Sequence, residues 1–168
     1  MQVKKYETRL TPGGVAYIAE TGAYRADGRR QYQSPEMLVS FFEGIGIREM
    51  AEEYVYCACI DNRLHLIGCF EASHGSAAIA HFPIREILQK ALLIGASAIA
   101  ICHNHPSGDP TPSGLDLEGT KKLEDACGVI GISLIDHIIM PANSAWYFSF
   151  ANEGLIGLSE KKEEIHDG

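Results

Sequence analysis

Within residues 101–117, ICHNHPSGDPTPSGLDL, two histidines stand one residue apart at His103 and His105, and Asp116 follows eleven positions after the second, three beyond Ser113. Imidazole nitrogens and a carboxylate oxygen are donors that a zinc ion takes. Two histidines and one acid leave a fourth tetrahedral position open for water, which is the catalytic rather than the closed structural arrangement. A bare His-x-His is a weak signal; the proline-rich loop and the Ser-x-x-Asp behind it make a metal site the preferred reading. Ser113-x-x-Asp116 also reads as a variant capping box, with the serine as helix cap and the acid in the dipole-favoured first turn. Capping and ligation are compatible.

The neighbouring residues say how these groups would be held. Residues 97–102 (SAIAIC) form a short apolar run with β-branched members, the pattern of a buried strand. In extended chain His103 and His105 share one face, while Cys102 and Asn104 share the other. Pro106, Gly108, Pro110 and Pro112 then mark a loop whose prolines reduce the entropy lost in ordering it. From Ser113 a helical pattern returns the oxygen ligand, with Ser113 and Asp116 on one face.

H-x-H, seven residues, S-x-x-D resembles the JAMM motif of the MPN-plus (JAB) metalloproteases, and HNHPSGDPTPS resembles their bacterial RadC branch. Arg85-Glu86-Ile87, Asp136-His137-Ile138-Ile139 and Tyr147-Phe148-Ser149-Phe150 support it, so the resemblance covers residues 34–150. It implies an α/β fold of the JAB/MPN type, a mixed sheet flanked by helices in a three-layer sandwich related in architecture to cytidine deaminases. It also implies a Zn2+-dependent metallopeptidase or isopeptidase, with His103, His105 and Asp116 on the metal and Ser113 donating to the tetrahedral oxyanion. Such a site needs a carboxylate to move the water's proton, and alignment with RadC-like sequences selects Glu53, with Glu52 as its close competitor. From the residues alone, Glu49, Glu52, Glu53, Glu71 and Glu86 all stay open.

Rival zinc chemistries fit less well. The deaminase pairing of H-x-E with P-C-x-x-C is missing, and His105 is followed by Pro106-Ser107-Gly108 rather than the continuation of a metallo-β-lactamase motif. His74 and His81 lack partners at ligand spacing. His137, next to Asp136 on an apparent strand, is expected to be structural or to support a ligand rather than to bind metal itself.

With 168 residues, 46% of them apolar, the chain is expected to make one domain of residues 34–150 with an N-terminal hairpin extension at 1–33 and a polar tail at 151–168. Thr11-Pro12-Gly13-Gly14 separates two alternating stretches, a hairpin that either extends the sheet or selects a partner. Ser34-Pro35 starts a helix; residues 54–60 and 64–71 read as strands, 72–82 as a connection, and 83–94 as a helix with Ile84, Ile87, Leu88, Ala91 and Leu92 on one face. Beyond a break at 128–131, residues 132–140 and 146–150 read as strands. The five cysteines lack paired spacing and are expected to be buried hydrophobes.

No apolar run approaches the roughly 20 residues of a membrane span, so a soluble, cytoplasmic protein is expected. RadC-type proteins carry a DNA-repair name and a helix-hairpin-helix segment, from which the residues before Ser34 differ. At a net charge of −8 without a basic run beyond Arg29-Arg30 or Lys121-Lys122, direct nucleic-acid binding is disfavoured. The expected partner is a peptide or isopeptide substrate, and a homo-oligomer is compatible with the sequence. Two other readings are a metal-bearing, non-catalytic MPN interaction module and a DNA-repair accessory; the first is weakened because scaffold relatives lose JAMM residues that are all present here.

Overall fold

Residues 53–60, 66–75, 98–105 and 133–141 carry the near-continuous buried runs that a sheet covered on both faces requires. A computed structural model describes residues 2–25, 31–75 and 82–157. In chain order they form β1 (Gln2–Leu10), β2 (Ala16–Arg25), α1 (Pro35–Ile45), a 3-10 turn (Ile47–Glu49), β3 (Glu53–Ile60), β4 (Leu66–Gly75), α2 (Ile84–Ile94), β5 (Ala98–His105), α3 (Gly114–Ile130), β6 (Ser133–Pro141) and β7 (Phe148–Ser149). One mixed sheet runs β2-β1-β4-β3-β5-β6-β7. Antiparallel β3 and β5 lie at its centre, and β5 and β6 are parallel, joined through α3.

Strand alternation divides the core in two. Tyr56, Ala58 and Ile60 of β3 with Ala98, Ala100 and Cys102 of β5 meet Leu38, Phe41 and Phe42 of α1 on one side. Val55, Cys57, Cys59, Ile99 and Ile101 meet Ile87 and Ala91 of α2 and Leu123 and Cys127 of α3 on the other. These are the three layers expected of the α/β sandwich. All five cysteines are free and buried.

The N-terminal hairpin turns through Thr11–Val15 backbone bonds with Gly14 at φ +78°, a conformation glycine adopts without strain. It extends the sheet, because Lys4 and Lys5 of β1 pair in parallel with Gly68 and Cys69 of β4. Gly68 is needed there, since a Cβ would overlap the Tyr6 ring.

Several boundaries differ from the sequence reading. β4 continues to Gly75, so His74 lies on a strand, stacked on Tyr54 and bonded to Glu71. Ladder pairing with β3 out to Glu53 overrides the small-residue composition there. Leu92 is 54% exposed, because α2 buries only the narrower stripe of Ile87 and Ala91. Gly128 continues α3, which ends at Gly131 in the left-handed conformation, and β7 is only Phe148–Ser149, leaving Trp146 exposed. Ser34 stands at the start of α1 but its hydroxyl makes no cap bond. Residues 26–30, most of the 72–82 connection with His81, and the tail from 158 onward fall outside the described residues.

Candidate metal centre

β5 ends at the site. Its last turn of alternation sends Ile101, His103 and His105 toward the α3 side and Cys102 and Asn104 toward α1. The chain then turns back through Gly108 at φ +83°, closed by a bond from Gly108 N to His105 O. Asp109 caps this loop by accepting the Thr111 amide at 2.8 Å, while its main-chain carbonyl lies 2.7 Å from His105 Nδ1.

Ser113 then caps α3 with the expected capping box. Its hydroxyl accepts from Asp116 N, and Asp116 Oδ2 accepts from both the Ser113 amide and the Ser113 hydroxyl at 2.7 Å. Those two donors occupy Oδ2 and hold the side chain so that Oδ1 lies 3.3 Å from His103 Nε2. His103 Nε2 and His105 Nε2 are 2.8 Å apart. His103, His105 and Asp116 form the one group of three ligand-type side chains close enough to hold a metal ion among the described residues.

The donor chemistry fits a cation. A carbonyl only accepts, so His105 Nδ1 carries the hydrogen in its bond to Asp109 O, and Nε2, a lone pair whenever the ring is neutral, is the nitrogen that faces His103. Two nitrogens at this distance beside a carboxylate need a positive charge among them. Burial pulls the His103 imidazole down to about 4, the neutral form required of a ligand. Burial also opposes the charge on His105, but the Asp116 carboxylate and the Asp109 carbonyl outweigh it and hold that imidazole above its usual range. Asp116 stays ionised: burial disfavours its charge, yet His105, His103 and Ser113 together hold the carboxyl well below normal.

Glu53 opens β3. Val55 pairs with His103, so Glu53, two residues earlier on the same face, falls opposite His105. It lines a cleft of about 310 Å³ with His105, Ser107, Asp109, Thr111, Ser113, Leu115 and Asp116. Burial raises its carboxyl above the ordinary value, with His105 opposing and Asp116 adding to the shift. Glu52 contributes no side chain to that lining; its carbonyl accepts from Asn104.

Sequence reasoning missed Asn104. Fully buried between the two histidines but facing away from them, it donates to Met50 O at 3.1 Å and Glu52 O at 2.9 Å and accepts Tyr54 N at 2.7 Å. These bonds clamp the main chain on both sides of Glu53. A buried amide in a strand between two ligand candidates is a signal in itself, because such a group needs partners. Thr120 and Phe82 were missed as well. Thr120 lies one turn after Asp116 on the same face of α3, and Phe82 places its ring edge-on to His137 and His103 at centroid distances of 5.1 and 6.2 Å. Phe82 approaches so closely that only Gly119 fits beneath it. His137 sits on β6 against His103 and faces Phe150 in a 4.3 Å stack, in line with the supporting role expected of it. Asp136, equally buried, accepts from Ser149, His137 N and Ala151 N and so ties β7 to β6.

The family model of the RadC-like JAB domain matches residues 32–155, a span containing Glu53 and the His-His-Asp group. The chain belongs to this family. It is 38% identical over 110 residues to a UPF0758 protein of Stenotrophomonas maltophilia, covering 66% of this chain and 46% of that one. It is 32% identical over 135 residues to a UPF0758 protein of Geotalea uraniireducens, with 80% and 58% covered. For a UPF0758 protein of Thermotoga maritima the identity is 37% over 105 residues, with 62% and 46% covered. The chain spans about half the length of these curated relatives. No helix among the described residues is long and apolar enough to cross a membrane.

Proposed function

We propose that this chain is a zinc-dependent metallopeptidase or isopeptidase that hydrolyses an amide bond. The observation that carries the reading is the 2.8 Å approach of His103 Nε2 to His105 Nε2 beside the Asp116 carboxylate, in a cleft that also holds Glu53. His103 and His105 would hold zinc through Nε2, and Asp116 through Oδ1. When bound, zinc supplies a water acidified from about 15.7 toward about 7 and polarises the carbonyl under attack.

The chain's own groups do the rest. Glu53, its carboxyl raised by burial, accepts a proton from the attacking water and returns it to the leaving amine. Ser113 is expected to stabilise the oxyanion, and to do so its hydroxyl hydrogen must swing away from Asp116 Oδ2, where it now points. Leu115 gives the cleft one apolar wall among carboxylates and hydroxyls.

The test is hydrolysis of a panel of synthetic peptides and lysine ε-linked isopeptides by the zinc-loaded protein in ¹⁸O water, read by mass spectrometry. Wild type should release products bearing ¹⁸O and the Glu53→Gln protein should not. Equal release by both proteins refutes the assignment of Glu53. A zinc-loaded wild type that binds members of the panel and cleaves none favours the non-catalytic interaction module.

A further inference from the structure

A buried hydrogen-bonded chain leads away from the metal centre and ends on a group whose polarity cannot be reversed. Thr120 Oγ1 lies 2.5 Å from the main-chain carbonyl of Asp116 and 2.6 Å from His137 Nδ1. His137 Nε2 in turn lies 2.7 Å from His103 Nδ1. We propose that Thr120 and His137 are positioning residues that set the tautomer of His103, so that its Nε2 is presented as a lone pair to the cation. This rests on the metal-site reading above and deepens it.

The direction follows from the fixed end. A carbonyl oxygen only accepts, so the single Thr120 hydroxyl hydrogen goes to Asp116. His137 Nδ1 must then carry a hydrogen and donate to Thr120 Oγ1. With its hydrogen on Nδ1, a neutral His137 has its lone pair on Nε2, and this accepts from His103 Nδ1–H. His103 Nε2 is thereby left bare, facing His105 Nε2 at 2.8 Å and Asp116 Oδ1 at 3.3 Å. Run the other way, the chain would put two lone pairs face to face between Thr120 and Asp116, and would place a hydrogen on the His103 nitrogen that has to ligate.

Packing enforces the choice. Thr120, His103 and His137 are each at most 2% exposed. Phe150 covers one face of the His137 ring at 4.3 Å and Phe82 stands perpendicular to it at 5.1 Å, so water has no room to replace a lost partner. An unpaired polar group in such surroundings keeps its full desolvation cost. His105 reaches the same tautomer by a simpler route, one bond to the Asp109 carbonyl on the loop. Asp116 therefore serves twice, offering Oδ1 to the cation from its side chain and anchoring the chain that orients His103 from its backbone. Sequence order shows why one helix suffices: Thr120 is four residues after Asp116, one turn along the same face.

The test compares Thr120→Val, which removes the hydroxyl at nearly constant shape, with Thr120→Ser, which keeps it. Zn2+ is titrated against a chromophoric chelator, and the melting of the metal-free proteins is recorded beside it. Thr120→Val should bind Zn2+ about 10–100-fold more weakly, the usual cost of losing such a supporting partner, and Thr120→Ser should recover most of the affinity. Long-range ¹H–¹⁵N spectra of zinc-loaded wild type should show His137 protonated on Nδ1, a signature that a purely space-filling histidine has no reason to show. A His137 protonated on Nε2 overturns the proposal even if no variant folds. A folded Thr120→Val protein with wild-type Zn2+ affinity overturns it too. Wild type that binds no Zn2+ removes the metal site itself and the proposal with it, a result separable from the other two.

Discussion

Replacing Asn104 with alanine removes three hydrogen bonds at once, and the structure indicates what each is worth. Two run from the side-chain amide to Met50 O and Glu52 O, and the third is accepted from Tyr54 N. At about 1 kcal/mol net apiece the loss is about 3 kcal/mol. Rehydration of the freed groups limits it, since Glu52 is exposed and Met50 half-buried, whereas the vacated space at a fully buried position adds to it. For a chain of this size about 3 kcal/mol corresponds to a fall in melting temperature of about 6–12 °C. The bonds flank Glu53, and Asn104 faces away from His103 and His105, so the effect should separate: turnover falls by tenfold or more while metal content stays at the wild-type level. Asn104→Asp sharpens the test. It keeps the acceptor for Tyr54 N but sets a carboxylate against two carbonyls, which raises its folded-state pKa. Its destabilisation should therefore be present at neutral pH and fade as pH falls through that raised value. Thermal melts followed by circular dichroism, with metal analysis on the same samples, check this. An Asn104→Ala protein melting within 2 °C of wild type, or one that loses its metal, refutes the clamp.

Three further outcomes follow from the same geometry. Glu53→Gln should retain the metal and lose about 10²–10⁴-fold in hydrolysis rate, measured on any substrate found among the peptides. Ser113→Ala removes the capping hydroxyl and one of the two donors on Asp116 Oδ2; urea unfolding of the metal-free protein should show about 1 kcal/mol lost, and turnover should fall on the order of a hundredfold. Gly119→Ala would ordinarily stabilise a helix by nearly 1 kcal/mol, but here the added methyl overlaps the Phe82 ring, so a net loss of about 1–2 kcal/mol is expected in the same unfolding assay.

Much of this site is legible in the sequence because its candidate ligands are local. Alternation on β5 and one helical turn from Ser113 to Asp116 bring His103, His105 and Asp116 toward one another without long-range information. Glu53 was harder. Nothing local separates it from Glu52, and only the β3–β5 register, a contact between residues about 50 positions apart, puts its side chain on the histidine face. Asn104, Thr120 and Phe82 went unread for the same reason: each is identified by partners on other elements, which composition and spacing do not reveal. The extension of β4 to Gly75 and the shortness of β7 likewise depend on ladder partners rather than on propensity. The hairpin shows both limits. Its turn is written in Thr11-Pro12-Gly13-Gly14, but its parallel docking on β4 is not.

Whether His103, His105 and Asp116 hold a zinc ion is decided by elemental analysis of protein purified without chelator or metal-affinity resin. About one zinc per chain is expected in wild type, and its loss in both His103→Ala and Asp116→Ala. A metal-free wild type whose melting temperature is unmoved by added Zn2+ would contradict it, leaving Ser113 and Asp116 as a helix cap and the paired histidines without the cation that their geometry calls for.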